Sequence, residues 1–352
     1  MIPRTALACL AALLGLLAAP PARADTCSIS DIATLTACFA APATHERFVF
    51  TADVVCTRDS DCCPADRPAL MLMNGLHGRV IDGQGHRLKR QAGQKACAAL
   101  LVRNGHGLTV RALTFDEDQT TAPCELADKP CASTVDFASS QDLTLERVKI
   151  AWGKGYVVRI WNVQGFALRQ SEITDAGIIG LYAGHYRYGA SARITIEGTT
   201  IARARANGAA FQGADDVELR NNRFIGNHWH GLWPVAAGGI TPGGQLLIGQ
   251  GSRIAVTSNR FEGGDCRDCR PSRFVPAIEL GEDGKAPGVH GLTISGNLMC
   301  HAGGGLAIDQ NPETNVTGAA ILGNRLSGFT RPDGIAGTVR REGNIAGLAA
   351  CS

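Results

Sequence analysis

Apolar and polar residues alternate with period two over short stretches, and these stretches recur along most of the chain at a spacing of roughly 20–30 residues. Asp142-Leu143-Thr144-Leu145 is followed by Val148-Lys149-Ile150, and Arg193-Ile194-Thr195-Ile196 by Thr200-Ile201. Asp216-Val217-Glu218-Leu219 is followed by Arg223-Phe224-Ile225, and Gly291-Leu292-Thr293-Ile294 by Leu298-Met299. A Gly-led strand completes each unit. No unit holds a stretch of about ten residues with the 3.6 period of a helix, so helical repeats are excluded. One such coil cannot bury its apolar face; stacked coils, pairing in parallel about 4.8 Å apart, can. The pattern therefore predicts an all-β solenoid, a single-stranded parallel β-helix. Asn222, Asn259, Asn297 and Asn324 share one phase between paired strands. Asn tolerates left-handed backbone and bonds its own neighbourhood, so these four are expected to stack as a ladder.

A solenoid needs closed ends. Residues 30–39 can form a short amphipathic capping helix with Ser30 or Asp31 as N-cap and Ile32, Leu35 and Phe39 on its apolar face. The expected organisation is a leader over 1–24, an N-terminal cap over 25–47, the β-helix over 48–330 and a Gly- and Arg-rich closing tail over 331–352.

Arg4, the apolar run from Ala6 to Ala19 and the small-x-small site Ala22-Arg23-Ala24 have the form of an export signal cleaved after Ala24, which implies a secreted or periplasmic protein. An uncleaved anchor is the alternative. No later segment is long and apolar enough to insert in a membrane. The leader carries Arg4 and Arg23 and none of the acidic residues, so the mature chain has 32 basic against 32 acidic side chains. A formally neutral chain has no global field to hold nucleic acid. Of 13 Cys, Cys9 lies in the leader, and the even remainder in an oxidising compartment points to disulfides of open connectivity. Cys266 and Cys269, with Cys300 and His301 downstream, have half the spacing of a zinc site, an alternative that export disfavours.

Val80-Ile81-Asp82-Gly83-Gln84-Gly85-His86 resembles the first-coil signature of the pectate-lyase-like right-handed β-helix superfamily, and with the repeats the resemblance covers roughly residues 45 to 330. It implies a right-handed parallel β-helix. That superfamily includes polysaccharide lyases, glycoside hydrolases, epimerases, sugar-binding proteins and phage spikes, so the fold does not choose the chemistry. Its polymer-active members use the Gly-led sheet and its loops as a groove.

Aligning the Gly-led strands by their inward apolar pairs predicts an outward column of Asp136, Arg159, Tyr182, Ala210, Trp233, Glu279 and Ala307, with Arg103, Trp161, Gln212 and Asp309 in the next outward position. Arg forks suit sugar carboxylates, and aromatic faces suit sugar rings; a cross-strand Asp136–Arg159 ion pair with ordinary surface aromatics is the plainer alternative. The neighbouring turns add Lys154, Arg203, Arg205, the run His185-Tyr186-Arg187-Tyr188, and the pair His228 and His230.

A lyase on a uronic-acid polymer needs a cation on the carboxylate, a base and an acid. Arg159 or Arg187 suits the first role, Lys154, His228 or His230 the second, and Tyr182 or Tyr186 the third. The remaining groove residues, Asp136, Trp161, His185, Tyr188, Arg205, Gln212, Trp233 and Glu279, would contact substrate. No metal is required, but calcium is an option, with Asp136 and Glu279 as oxygen ligands. An epimerase shares the first step. A hydrolase needs two carboxylates; Asp215-Asp216 is the visible pair, but its order relative to Arg159-Ile160 departs from polygalacturonases. The Trp-Ile-Asp-His motif of pectate lyases and the Asp-Pro-His motif of mannuronan epimerases are absent from the chain. The expected partner is an acidic polysaccharide, handled by a monomer; a non-catalytic polysaccharide-binding or adhesin-like protein is the alternative.

Overall fold

The computed structural model describes residues 25–57, 68–90, 97–117, 133–184, 190–227, 245–263, 275–281, 288–300 and 305–348. Each coil contains three short strands in chain order, and equivalent strands stack in parallel into three faces. One coil runs Val135–Ala138, Gln141–Glu146 and Lys149–Ala151. The next runs Val158–Trp161, Gln164–Arg169 and Glu172–Thr174, each strand in register with its predecessor. The first two faces merge into one sheet because the strands Ala209–Arg220 and Leu246–Thr257 run unbroken through both. The third face is a separate sheet of three- and four-residue strands, from Val54–Cys56 to Ile345–Leu348. This is the parallel β-helix that the repeats predict, with the right-handed sense that the resemblance implies.

The core is a set of columns, one inward residue per coil. In the third face the column runs Leu88, Phe115, Ile150, Ile173, Ile201, Phe224, Phe261, Met299 and Leu326. All nine are buried, and the rings of Phe224 and Phe261 stack 4.9 Å apart. Stacking like on like gives each side chain neighbours above and below, which is how a narrow core reaches close packing with few large aromatics.

The Asn ladder forms as the phase predicts. The Asn222 N–H donates to Asn259 Oδ1 (2.9 Å), the Asn259 N–H to Asn297 Oδ1 (2.8 Å), and the Asn297 N–H to Asn324 Oδ1 (3.0 Å). Each Nδ2 also donates to a main-chain carbonyl one coil back, as Asn259 does to Leu219 (2.8 Å). The residue before each Asn is left-handed, Asn221 and Ser258 at φ 55° among them, and this turns the chain sharply between the second and third faces. The ladder is longer than four: Asn344 extends it downstream, and the hydroxyls of Thr199 and Ser171 accept in its place upstream.

At the N-terminal end Ile32–Ala40 forms the expected helix with Asp31 as N-cap, and Leu35, Cys38 and Phe39 are buried. Phe39 stacks on Phe48 of the first complete coil, ring centroids 4.6 Å apart. A strand that the pattern did not indicate, Thr26–Ile29, pairs with Arg47–Phe50, and the structure pairs Cys27 with Cys38. Beyond residue 330, where a closing tail was expected, Arg331–Asp333, Val339–Glu342 and Ile345–Leu348 make one more coil.

Two register expectations are corrected. The neighbour of Ala210 on the first face is Leu247, and the neighbour of Leu247 is Glu279. Leu247 thus holds the place expected for Trp233, which lies outside the described residues, and Leu246 and Ile248 supply the inward pair of that strand. The last outward residue is Asp309, paired with Glu279, while Ala307 is fully buried. Leu306, Ile308 and the surrounding small residues satisfy an inward pattern in two registers, and pairing of Ile278 with Ile308 selects the second.

Candidate functional site

Asp136, Arg159 and Tyr182 occupy three successive rungs of the first face, each in register with the next. Their neighbours inward, Val135, Val158 and Leu181, and Phe137, Ile160 and Ala183, are buried core, so alternation turns the three outward. Arg159 Nε donates to Asp136 Oδ1 at 3.1 Å and its Nη2 donates to Asp136 Oδ2, a two-point ion pair. The guanidinium lies 4.2 Å over the Trp161 ring, a cation–π contact from the next outward position on the same strand. Tyr182 Oη donates to Gln212 Oε1 at 2.6 Å, and its ring lies 4.8 Å from that of Tyr156.

The outward face here is not a solvated one. Asp136, Tyr182, Ala210 and Leu247 are buried although they lie outside the solenoid core. Ile178, Ile179, Tyr182, Ala206, Ala210 and Leu247 form a second apolar cluster, with Tyr156 and Trp161 packed against it. Outward positions on the third face, such as Lys149 and Arg223, are exposed. The difference comes from the turns entering the first face. Gly155-Tyr156 and Gly177-Ile178-Ile179 carry apolar residues over its edge; the first of these turns also brings in Lys154, and the next turn along the stack brings in Arg205, both buried. Those covering residues escape a search based on strand alternation, because a turn has no period; the one signal is an apolar pair between glycines.

Glu279 lies farther along the same column, next to Asp309. From Asp136 to Glu279 the column passes through Arg159, Tyr182, Ala210 and Leu247. At about 4.8 Å per rung this is about 24 Å. Calcium ligands sit about 2.5 Å from the ion, so Asp136 and Glu279 cannot share one cation, and the expected calcium pair is corrected. Among the described residues no group of three or more His, Cys, Asp or Glu could hold a metal ion. His185, Tyr186, Arg187, Tyr188, His228, His230 and Trp233 lie outside the described residues, as do Cys266, Cys269 and His301. No helix among the described residues is long and apolar enough to cross a membrane.

The family model described as "right handed beta helix region" matches residues 98–261 and, overlapping, 133–341. Among solved structures, the surface protein and adhesin PfbA of Streptococcus pneumoniae superposes with a TM-score of 0.58 at 10% identity, over 85% of this chain and 84% of that one. The A-module of the mannuronan C-5 epimerase AlgE6 of Azotobacter vinelandii superposes with a TM-score of 0.54 at 12% identity, over 92% of this chain and 97% of that one. No curated protein sequence matches the chain. Likenesses at these identities carry the fold.

Proposed function

The chain belongs to the right-handed β-helix family, and from that premise we propose that it handles a carbohydrate polymer along the outer face of the first sheet, most specifically as a lyase that cleaves a uronic-acid polymer by β-elimination. One observation supports this reading above the others: ionisable and aromatic side chains are sequestered outside the core on one face, around Asp136, Arg159 and Tyr182. A water-poor site strengthens every electrostatic contact made in it. In this reading Arg159, braced by Asp136, turns part of its five-donor guanidinium to the substrate carboxylate. Lys154, His228 or His230 takes the proton beside that carboxylate, and Tyr182 protonates the leaving oxygen as the bond breaks. The chain acts outside the cytoplasm after loss of its leader.

The test is incubation with alginate, polygalacturonate and glycosaminoglycans, following the ultraviolet absorbance of unsaturated chain ends. The expected result is growth of that absorbance with one polymer class and a loss of about 100-fold in Arg159→Ala. No absorbance from any of them overturns the lyase.

A second reading, a polysaccharide-binding protein without catalysis, is favoured by a separate observation: Arg159 and Tyr182 already bond Asp136 and Gln212. It predicts retention of the protein by an acidic polymer with no new chain ends.

A further inference from the structure

A cavity of about 200 Å³ lies on the outer face of the third sheet, around the corner from the site above. Its uncharged lining is Thr114, Ile150, Ala151 and Thr174. Its rim carries two ion pairs. Arg87 Nη1 lies 3.1 Å from Asp116 Oδ2, and Lys149 Nζ lies 3.6 Å from Glu172 Oε2. The pairs sit in register over four successive strands, Arg87 with Thr114, Thr114 with Lys149, and Lys149 with Glu172, which makes the cavity a short trough across the strands.

The lining chooses a ligand class. Two cations and two anions, each already paired, leave no net charge, so neither a carboxylate nor a phosphate is favoured. The lining offers two hydroxyls and only the small apolar area around Ile150 and Ala151, too little to hold a lipid or an apolar peptide. What suits alternating donors and acceptors beside hydroxyls is a molecule whose adjacent groups donate and accept at once, a vicinal diol. The volume is below that of drug-sized sites and suits a single sugar ring.

We propose that this trough is a second carbohydrate site, which takes one uncharged sugar unit and is chemically distinct from the cationic, aromatic first face. It does not depend on the lyase reading. Affinity electrophoresis through gels containing galactomannan, xyloglucan or hydroxyethyl cellulose tests it. The wild-type chain is expected to be retarded by at least one of these neutral polymers. The double variant Lys149→Ala/Glu172→Ala, which keeps the net charge, is expected to weaken retardation about tenfold through lost hydrogen bonds. Ala151→Leu, which fills the trough from outside the core, is expected to do the same. Arg159→Ala should leave it unchanged, which separates failure of this site from failure of the first. Circular dichroism and melting that match the wild type show that each variant is folded. Free passage of the wild type through all three gels, or wild-type retardation of both trough variants, overturns the proposal.

Discussion

Asp82 is held between two guanidinium groups: Arg47 Nη2 and Arg111 Nη2 each donate to its Oδ2 at 2.7 Å. Burial pushes its carboxyl up, but the hydrogen bonds from Arg111 and Arg47 outweigh burial and hold it below the usual carboxylate range. A carboxyl depressed in the folded state stabilises the fold above its unfolded value, about 3.9. That stability is lost as pH falls through the folded value. Urea midpoints measured downward from neutral pH should therefore drop through the acid range, and Asp82→Asn should start lower and fall less steeply. Equal acid slopes for the two proteins would show that Asp82 is not the group responsible. Asp82 was visible in the sequence as part of the Val80–His86 motif, but its two partners were not: Arg47 and Arg111 lie 35 and 29 residues away, and only the register brings them together. The same holds for Gln212, found as an outward residue but not as the acceptor for Tyr182.

On the second face the register builds an alternating column. Asp82, Arg111, Glu146, Arg169, Glu197 and Arg220 occupy successive rungs, so each of the four inner charges has opposite charges above and below. Arg220 Nη2 reaches Glu197 Oε2 at 2.8 Å. Apart from buried Asp82, these side chains are exposed or partly so, and each pair among them contributes modestly. Their larger effect is on register, because slipping one coil along its neighbour pulls the opposite charges apart. Glu146→Arg puts three cations in a row and should cost about 1–2 kcal/mol in low salt, with much of the loss restored in high salt as the charges are screened. A loss insensitive to salt would mean that packing rather than charge is at work. Coil length decided how much of this register the sequence disclosed. Asp136, Arg159 and Tyr182 are evenly spaced, so their alignment could be read directly. The step from Ala210 to Leu247 is longer, and the inserted segment offers its own alternating residues around Trp233, which compete for the same place. Periodicity alone cannot choose between two strands that both alternate; pairing with Ile278 and Glu279 does.

A solenoid is nearly one-dimensional: each coil touches its two neighbours, so a change at one end should fade along the stack rather than act everywhere at once. The N-terminal end is where this can be measured. The helix Ile32–Ala40 covers the first coil, its cap box closes on Asp31 and Thr34, and Cys27–Cys38 ties it to the strand Thr26–Ile29. A closed loop of this length stabilises by about 2–3 kcal/mol, mainly by restricting the unfolded chain. In Cys27→Ser/Cys38→Ser that stabilisation is removed from the end coil, where Phe39 and Phe48 stack. Amide exchange should accelerate in Thr26–Ile29 and Arg47–Phe50 and less in each coil beyond, while Val158–Trp161, three pairing steps from the strand Ala69–Asn74 that the helix also touches, keeps its protection. Retention by an acidic polymer, which the proposed function assigns to the central rungs around Arg159, should be unchanged. Exchange that accelerates equally in all coils would show that the stack opens as a single unit. The cap would then be part of the force holding the central face together, and any account of that face would have to include the end of the molecule.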